Sequence, residues 1–220
     1  VSEFNFEPVH GLPENLPEGE SLRWQGAPHW GALALRAFHV RKVAIYFGLL
    51  ILFRIGFVLS AGEPLSIAVL SGLWLLVLSL MAIGILTLMA WLYSRSTVYS
   101  ITDRRVVIRF GVALPMAVNI PFKAIESAGL RSYPDGSGDI PMVLGADHRV
   151  NFIIMWPNVR PWRFLNAQPM LRCIPDAAKA AEILGQALRT ATVAAEDEAR
   201  SQTGEGRADP QMDPAAAASR

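Results

Sequence analysis

The side chains in this chain that could do chemistry are few and scattered. Four histidines occur, His10, His29, His39 and His148, and no two stand at ligand spacing. Asp135 and Asp139 flank a Gly-Ser loop, but two carboxylates fall short of the ligand set that a calcium loop needs. A solvated turn is the simpler reading of that loop. Ser137 sits in Gly136-Ser137-Gly138, which is not the Gly-x-Ser-x-Gly of a nucleophile elbow. Cys173 stands alone, so the chain can form no intramolecular disulfide and no cysteine-rich metal site. Its neighbours Leu171, Arg172, Ile174 and Pro175 suit a buried, small apolar residue better than a reactive thiol. No phosphate-binding loop is present. The expectation is no catalytic residue, no metal and no cofactor.

What the sequence does carry is position. Residues 43–60 form an apolar run with one charge, Arg54, and residues 65–93 form a second run with none. At about 1.5 Å per residue the first covers roughly 27 Å and the second roughly 43 Å, against about 30 Å of bilayer hydrocarbon. Soluble helices rarely stay apolar on every face for this length, so the pair reads as a transmembrane hairpin turning at residues 61–64. It begins behind 42 residues of mixed character, which is not the layout of a cleavable signal peptide. None of the histidines falls inside a span, and His39 sits at most at its edge, so a pigment ligand at membrane depth is not expected. Arg54 is costly there; it either snorkels outward, towards Glu63, or meets a partner. Ala68 and Gly72 are a small-xxx-small step suited to packing between the two spans, with homodimerisation as the alternative use.

Charge sets the orientation. Arg36, Arg41 and Lys42 precede the first span, Arg95, Arg104 and Arg105 follow the second, and the connecting loop has no base. Both termini are therefore expected in the cytoplasm. The formal net charge of +1 hides an asymmetry. Residues 1–20 hold five acids and no base, and residues 192–220 hold six acids and three bases, which leaves 17 bases and 8 acids between them. A basic middle beside a membrane hairpin fits contact with anionic lipid, and it fits the ordinary positive-inside bias at least as well. Nucleic-acid binding is not expected, because the bases form no basic helix and no aromatic RNA-binding signature.

Around the hairpin the elements are short. Residues 1–21 are an acidic leader that Pro8, Pro13 and Pro17 keep extended, with Phe4, Phe6, Leu12 and Leu16 available to dock. Residues 22–42 read as a strand followed by an interfacial helix over 32–42. Residues 95–191 read as five to seven antiparallel strands and one amphipathic helix. Strands are expected at 97–101, 105–110, 112–120 and 122–130, and a hairpin at 140–144 and 150–156. Residues 157–174 are broken by prolines. Asp176 starts the helix, which presents Ala180, Ile183, Leu184, Ala187 and Leu188 on one face. Residues 192–220 are polar and alanine-rich, and disorder is expected.

The stretch 99–111, with Thr102-Asp103-Arg104-Arg105 between two strands and a closing Gly111, resembles the bacterial pleckstrin-homology-like membrane proteins. Ile120-Pro121-Phe122-Lys123-Ala124-Ile125-Glu126, Gly136-Ser137-Gly138-Asp139 and the terminal helix fit the same pattern. The proline-spaced leader at 6–20, Leu22-Arg23-Trp24-Gln25-Gly26-Ala27-Pro28, Trp156-Pro157-Asn158-Val159-Arg160-Pro161-Trp162 and Ile174-Pro175-Asp176-Ala177 are similar to one branch, the PuhB photosynthetic-complex assembly family of purple bacteria. That resemblance covers about residues 4–190. It implies an α+β membrane protein, a two-helix hairpin carrying a small antiparallel pleckstrin-homology-like domain capped by a C-terminal helix. It implies a non-enzymatic protein of the inner membrane whose partners are reaction-centre or core light-harvesting subunits. A rival reading is a module that grips anionic membrane lipid through Arg104, Arg105, Arg109 and Lys123. A membrane enzyme or transporter subunit is disfavoured by two spans with a single charge.

The topology is open to a direct test. A reporter fused after residue 95 should give a cytoplasmic signal, and one placed in the 61–64 loop a periplasmic signal. A periplasmic signal from the first would overturn the orientation.

Overall fold

The computed structural model describes residues 16–205. In it, β1 (Leu22–Gly26) leads to the short α1 (Trp30–Arg36), then to two long helices, α2 (Val40–Ser60) and α3 (Leu65–Ser96). Both are long and apolar enough to cross a membrane. Their 21 and 32 residues correspond to roughly 31 and 48 Å. Large side chains such as Leu52, Phe53, Leu70 and Trp74 point outward from the pair. The small residues face inward. Ala68, Gly72 and Ser79 of α3 are buried, and a Cβ on Gly72 would stand 3.0 Å from the side chain of Ile55 on α2. The small-xxx-small step thus serves the packing of the two helices against each other.

The rest of the chain is a β-domain. β2 (Val98–Thr102), β3 (Arg105–Phe110) and β4 (Met116–Pro121) extend β1 into an antiparallel sheet in the order β1-β2-β3-β4. A 3-10 turn at Phe122–Ala124 leads into a second antiparallel sheet. There β7 (Gly138–Leu144) is central: β5 (Ile125–Ala128) and β6 (Arg131–Ser132) pair with it, and so does β8 (Met170–Ile174). Register fixes the core face. Tyr99 lies opposite Ile108 and Ile101 opposite Val106, so these four point the same way. They meet Ile140 and Met142 of β7, Leu171 of β8, and Ala177, Ala180 and Leu184 of α5 (Ala177–Glu205) in one buried cluster. Leu33 of α1 joins it. The architecture is therefore a helical hairpin plus a small two-sheet antiparallel domain capped by a C-terminal helix.

Several expected elements differ, and each difference has a local cause. Residues 32–42 are not one helix. The N–H groups of Ala37 and Phe38 both bond to the Leu33 carbonyl, closing α1, and His39 adopts a left-handed backbone (φ 56°) before α2. Ala32, Leu33 and Ala34 are buried, so α1 belongs largely to the domain. Residues 150–156 are not a strand. The Asn151 side chain accepts from the N–H groups of Ile153 and Ile154 and caps a single helical turn, α4 (Phe152–Met155). The strand that pairs with β7 comes instead from the proline-broken stretch, as β8. Residues 122–130 begin as a helical turn, and β5 carries an irregularity between Ile125 and Ser127. The last helix continues through 192–205, where disorder was expected. The leader side chains Phe4, Phe6 and Leu12, and residues 206–220, lie outside the described residues.

Replacing Gly72 by Leu drives a side chain into Ile55 and should cost the hairpin about 1–3 kcal/mol. A lower thermal-unfolding midpoint of the detergent-solubilised protein is the expected readout. Gly84, whose added Cβ would meet nothing within 4 Å, should accept Leu without loss.

Candidate functional site

The elements of the domain converge on the place where α3 ends. Tyr93, in the last turns of α3, is buried. Its hydroxyl accepts from Asn158 Nδ2 at 2.9 Å. The Tyr99 hydroxyl of β2 donates to Asn158 Oδ1 at 2.7 Å and accepts from the Arg172 N–H at 3.2 Å. Burial raises the Tyr99 phenol well above its ordinary value, so it stays protonated. The Arg172 guanidinium, itself buried, donates from Nη1 to the Pro157 carbonyl at 3.0 Å and from Nη2 to the Arg36 carbonyl at 3.1 Å. Its Nε has no hydrogen-bond partner. One network thus joins α3, β2, the 157–158 turn, β8 and the end of α1.

A second network pins α1 to the β6–β7 hairpin. The Arg36 side chain pairs with Asp135 at 2.8 Å, donates to Ser137 Oγ and stacks on the Tyr133 ring, 3.6 Å from its centroid. Asp139, expected in a solvated turn, is buried. It accepts from the Cys173 N–H at 2.8 Å and from the Tyr133 hydroxyl at 2.6 Å. Cys173 is buried as expected, and burial together with the Asp139 charge pushes its thiol up to about 12. At neutral pH it is a protonated packing group and not a nucleophile. Among the described residues no group of three or more His, Cys, Asp or Glu side chains could hold a metal ion.

The basic residues singled out from the sequence are not brought together. β3 separates them: Arg109 lies opposite Val98 at one end, whereas Arg105 lies opposite Pro121 at the other. Four residues of strand correspond to roughly 14 Å. Arg104 and Lys123 are exposed near the Arg105 end. Arg105 is engaged by Glu20, with Nε at 2.9 Å and Nη2 at 3.1 Å from the two carboxylate oxygens. Arg54 is exposed on α2 and makes no ion pair with Glu63.

The Thr102-Asp103-Arg104-Arg105 motif has a clear local task. Thr102 Oγ1 accepts from the N–H groups of Arg104 and Arg105 and donates to the Arg105 carbonyl, which builds the turn. Asp103 accepts from the Ser21 N–H and hydroxyl, both at 3.1 Å. Burial works to push that carboxyl up, but the Ser21 bonds outweigh it and hold the group below its ordinary value. Asp103 and Arg105 thereby seize Ser21 and Glu20 just where β1 begins. Sequence reasoning found the motif but offered its arginines as partner or lipid contacts; no local signal names a leader acid more than 80 residues away as the partner.

The chain that folds this way matches the bacterial PH domain family over residues 43–188. The chain belongs to that family. The match takes in the hairpin as well as the domain. The chain is also similar to an uncharacterized 23.7 kDa protein in the puhA 5′ region of Rhodobacter capsulatus. The two are 36% identical over 187 residues, 84% of this chain and 87% of that protein. No solved structure matches.

The Glu20–Arg105 pair is testable. Glu20 is almost wholly buried, so Arg105→Gln leaves its charge without a partner. A double-mutant cycle with Glu20→Gln, read by thermal unfolding, should return a coupling of about 1.5–3 kcal/mol. A coupling near zero would return Arg105 to the pool of surface charges.

Proposed function

We propose that this chain is a non-enzymatic assembly factor for the photosynthetic reaction centre and core light-harvesting complex in the inner membrane of a purple bacterium. The observation that carries the reading is the near full-length similarity to a protein from a photosynthesis gene region of such a bacterium. Domains of the pleckstrin-homology type are generally non-enzymatic, which agrees with a holding role. The mechanism is physical. The hairpin spans the bilayer with both termini in the cytoplasm and keeps the domain at the surface where client subunits emerge. The Tyr93–Asn158–Tyr99 bonds make domain and hairpin one unit, so a client bound to either feels both. Arg54, exposed on the outer face of α2 beside Phe53 and Phe57, is the proposed contact for a partner helix inside the membrane.

Deleting the gene should lower the amount of reaction centre and core antenna while leaving the absorption spectrum of each remaining complex unchanged. The comparison is made on membranes of deletion and parent strains grown at low oxygen, with a pull-down on a tagged copy. Arg54→Leu should reduce client capture. Normal complex levels in the deletion strain, together with no photosynthetic subunit in the pull-down, would refute the reading.

A further inference from the structure

The far side of the junction carries a feature that the assembly reading does not use. Where α1 ends and α2 begins, a cleft of about 610 Å³ opens between these helices, the β6–β7 hairpin, β8 and the 160–162 loop. Five cations line it: Arg36, Lys42, Arg131, Arg160 and Arg172. Among the described residues the only carboxylate in the lining is Asp139, and both of its oxygens already accept hydrogen bonds from Cys173 and Tyr133. Asp135 neutralises Arg36 from outside. Among the described residues, Lys42, Arg131 and Arg160 make no ion pair at all. Arg131 leans on the Tyr133 ring, 5.3 Å from its centroid, and Arg160 donates to the Gln168 side-chain carbonyl at 3.0 Å. Both keep their charge uncompensated.

Arg172 supplies a second, independent sign. It is 7% exposed, two of its nitrogens bond to carbonyls, and its Nε has no partner. A buried guanidinium with no counter-ion is expensive, and nearby cations raise the cost. The field is felt by His39, whose pKa is lowered by burial first and then by Lys42 and Arg172. Among the described residues no anion answers these cations.

The cleft also has a level. Lys42 is in the first turn of α2, an apolar helix long enough to cross a bilayer. With α2 in a membrane, the cleft mouth lies at the headgroup layer. Its rim is apolar there: Leu35 is 57% exposed and Trp162 86% exposed. Tryptophan beside basic residues is the usual composition of that layer. Arginine forks match phosphate oxygens, and several hundred cubic ångströms suffice for a small headgroup.

We propose that this cleft binds the phosphate headgroup of an anionic phospholipid, with Lys42, Arg131 and Arg160 as the contacts and the acyl chains passing over Leu35 and Trp162. It is separate from Arg104, Arg105, Arg109 and Lys123, and it does not depend on the assembly reading, because a membrane without clients suffices.

The test uses the full-length chain in detergent, with bound lipid read by native mass spectrometry. The probes are dioleoyl phosphatidylglycerol, dioleoyl phosphatidylcholine and inorganic phosphate. The parent should retain phosphatidylglycerol at least about ten-fold better than phosphatidylcholine, and the exposed-site triple variant Lys42→Gln, Arg131→Gln, Arg160→Gln should lose at least about ten-fold of that retention. Arg104→Gln with Lys123→Gln should lose none. Should the triple variant fail to fold, Arg131→Gln alone should lose about three-fold or more. Equal retention by parent and variant, or no preference between the two lipids, overturns the proposal. Inorganic phosphate binding as tightly as phosphatidylglycerol would make this a soluble-phosphate site and overturn the lipid assignment. Loss of a captured protein subunit from the variants, with lipid retention unchanged, would assign the cleft to an acidic protein surface and overturn it equally.

Discussion

The structure depends on how the Arg172 guanidinium is held. A cation nine-tenths buried calls for acceptors, and here Nη1 and Nη2 find them while Nε does not. The acceptors are backbone carbonyls of Arg36 and Pro157, supplied by two segments that lie outside both sheets. The N–H of the same residue bonds to the Tyr99 hydroxyl, which leads through Asn158 to Tyr93 on α3. Each group satisfies the next, so no element can move away without stranding a buried polar atom. That is why α1, although short, is immobilised, and why the domain is joined to the hairpin by more than the single connecting residue between α3 and β2.

The same demand explains how much of the fold was legible in the chain. The hairpin was plain because an apolar run that long has few other uses. β2, the Thr-Asp-Arg-Arg turn and β3 were plain because alternation, turn chemistry and Gly111 all agree; Gly111 has φ 121°, and a Cβ there would strike the Leu114 carbonyl. The 150–156 stretch misled because a short apolar run fits either a strand or a helical turn, and Asn151 decides by capping. β8 was hidden by Pro169 and Pro175, by an arginine in its middle, and by Cys173 in a left-handed conformation (φ 51°). Its strand character comes from β7 and Asp139, not from its own composition.

The basic residues were as visible as the spans, but their grouping was not. Arg36 and Arg172 are 136 positions apart and meet only because α1 folds under β8. Conversely Arg104, Arg105 and Lys123 look like one patch with Arg109, yet β3 holds Arg109 at its opposite end, and Arg105 is occupied by Glu20. The Thr102-Asp103-Arg104-Arg105 turn thus serves as a clasp on Glu20 and Ser21. It ties the residues just before β1 to the first turn after the hairpin, closing the sheet edge around the chain's entry point.

The unequal lengths of the two helices have a mechanical meaning. α3 has 32 residues to the 21 of α2, and its surplus of roughly 16 Å emerges at the domain end, where α1 packs along it and Tyr93 is fastened. The domain is therefore carried on a rigid mast and not on a tether. Because Tyr93 is bonded through Asn158 to Tyr99, rotation or lean of α3 pulls on β2 and the 157–158 turn. Were the pair to span a bilayer, a thinner one would raise the whole domain and a thicker one would lower it, so lipid composition would set the height of the domain above the surface.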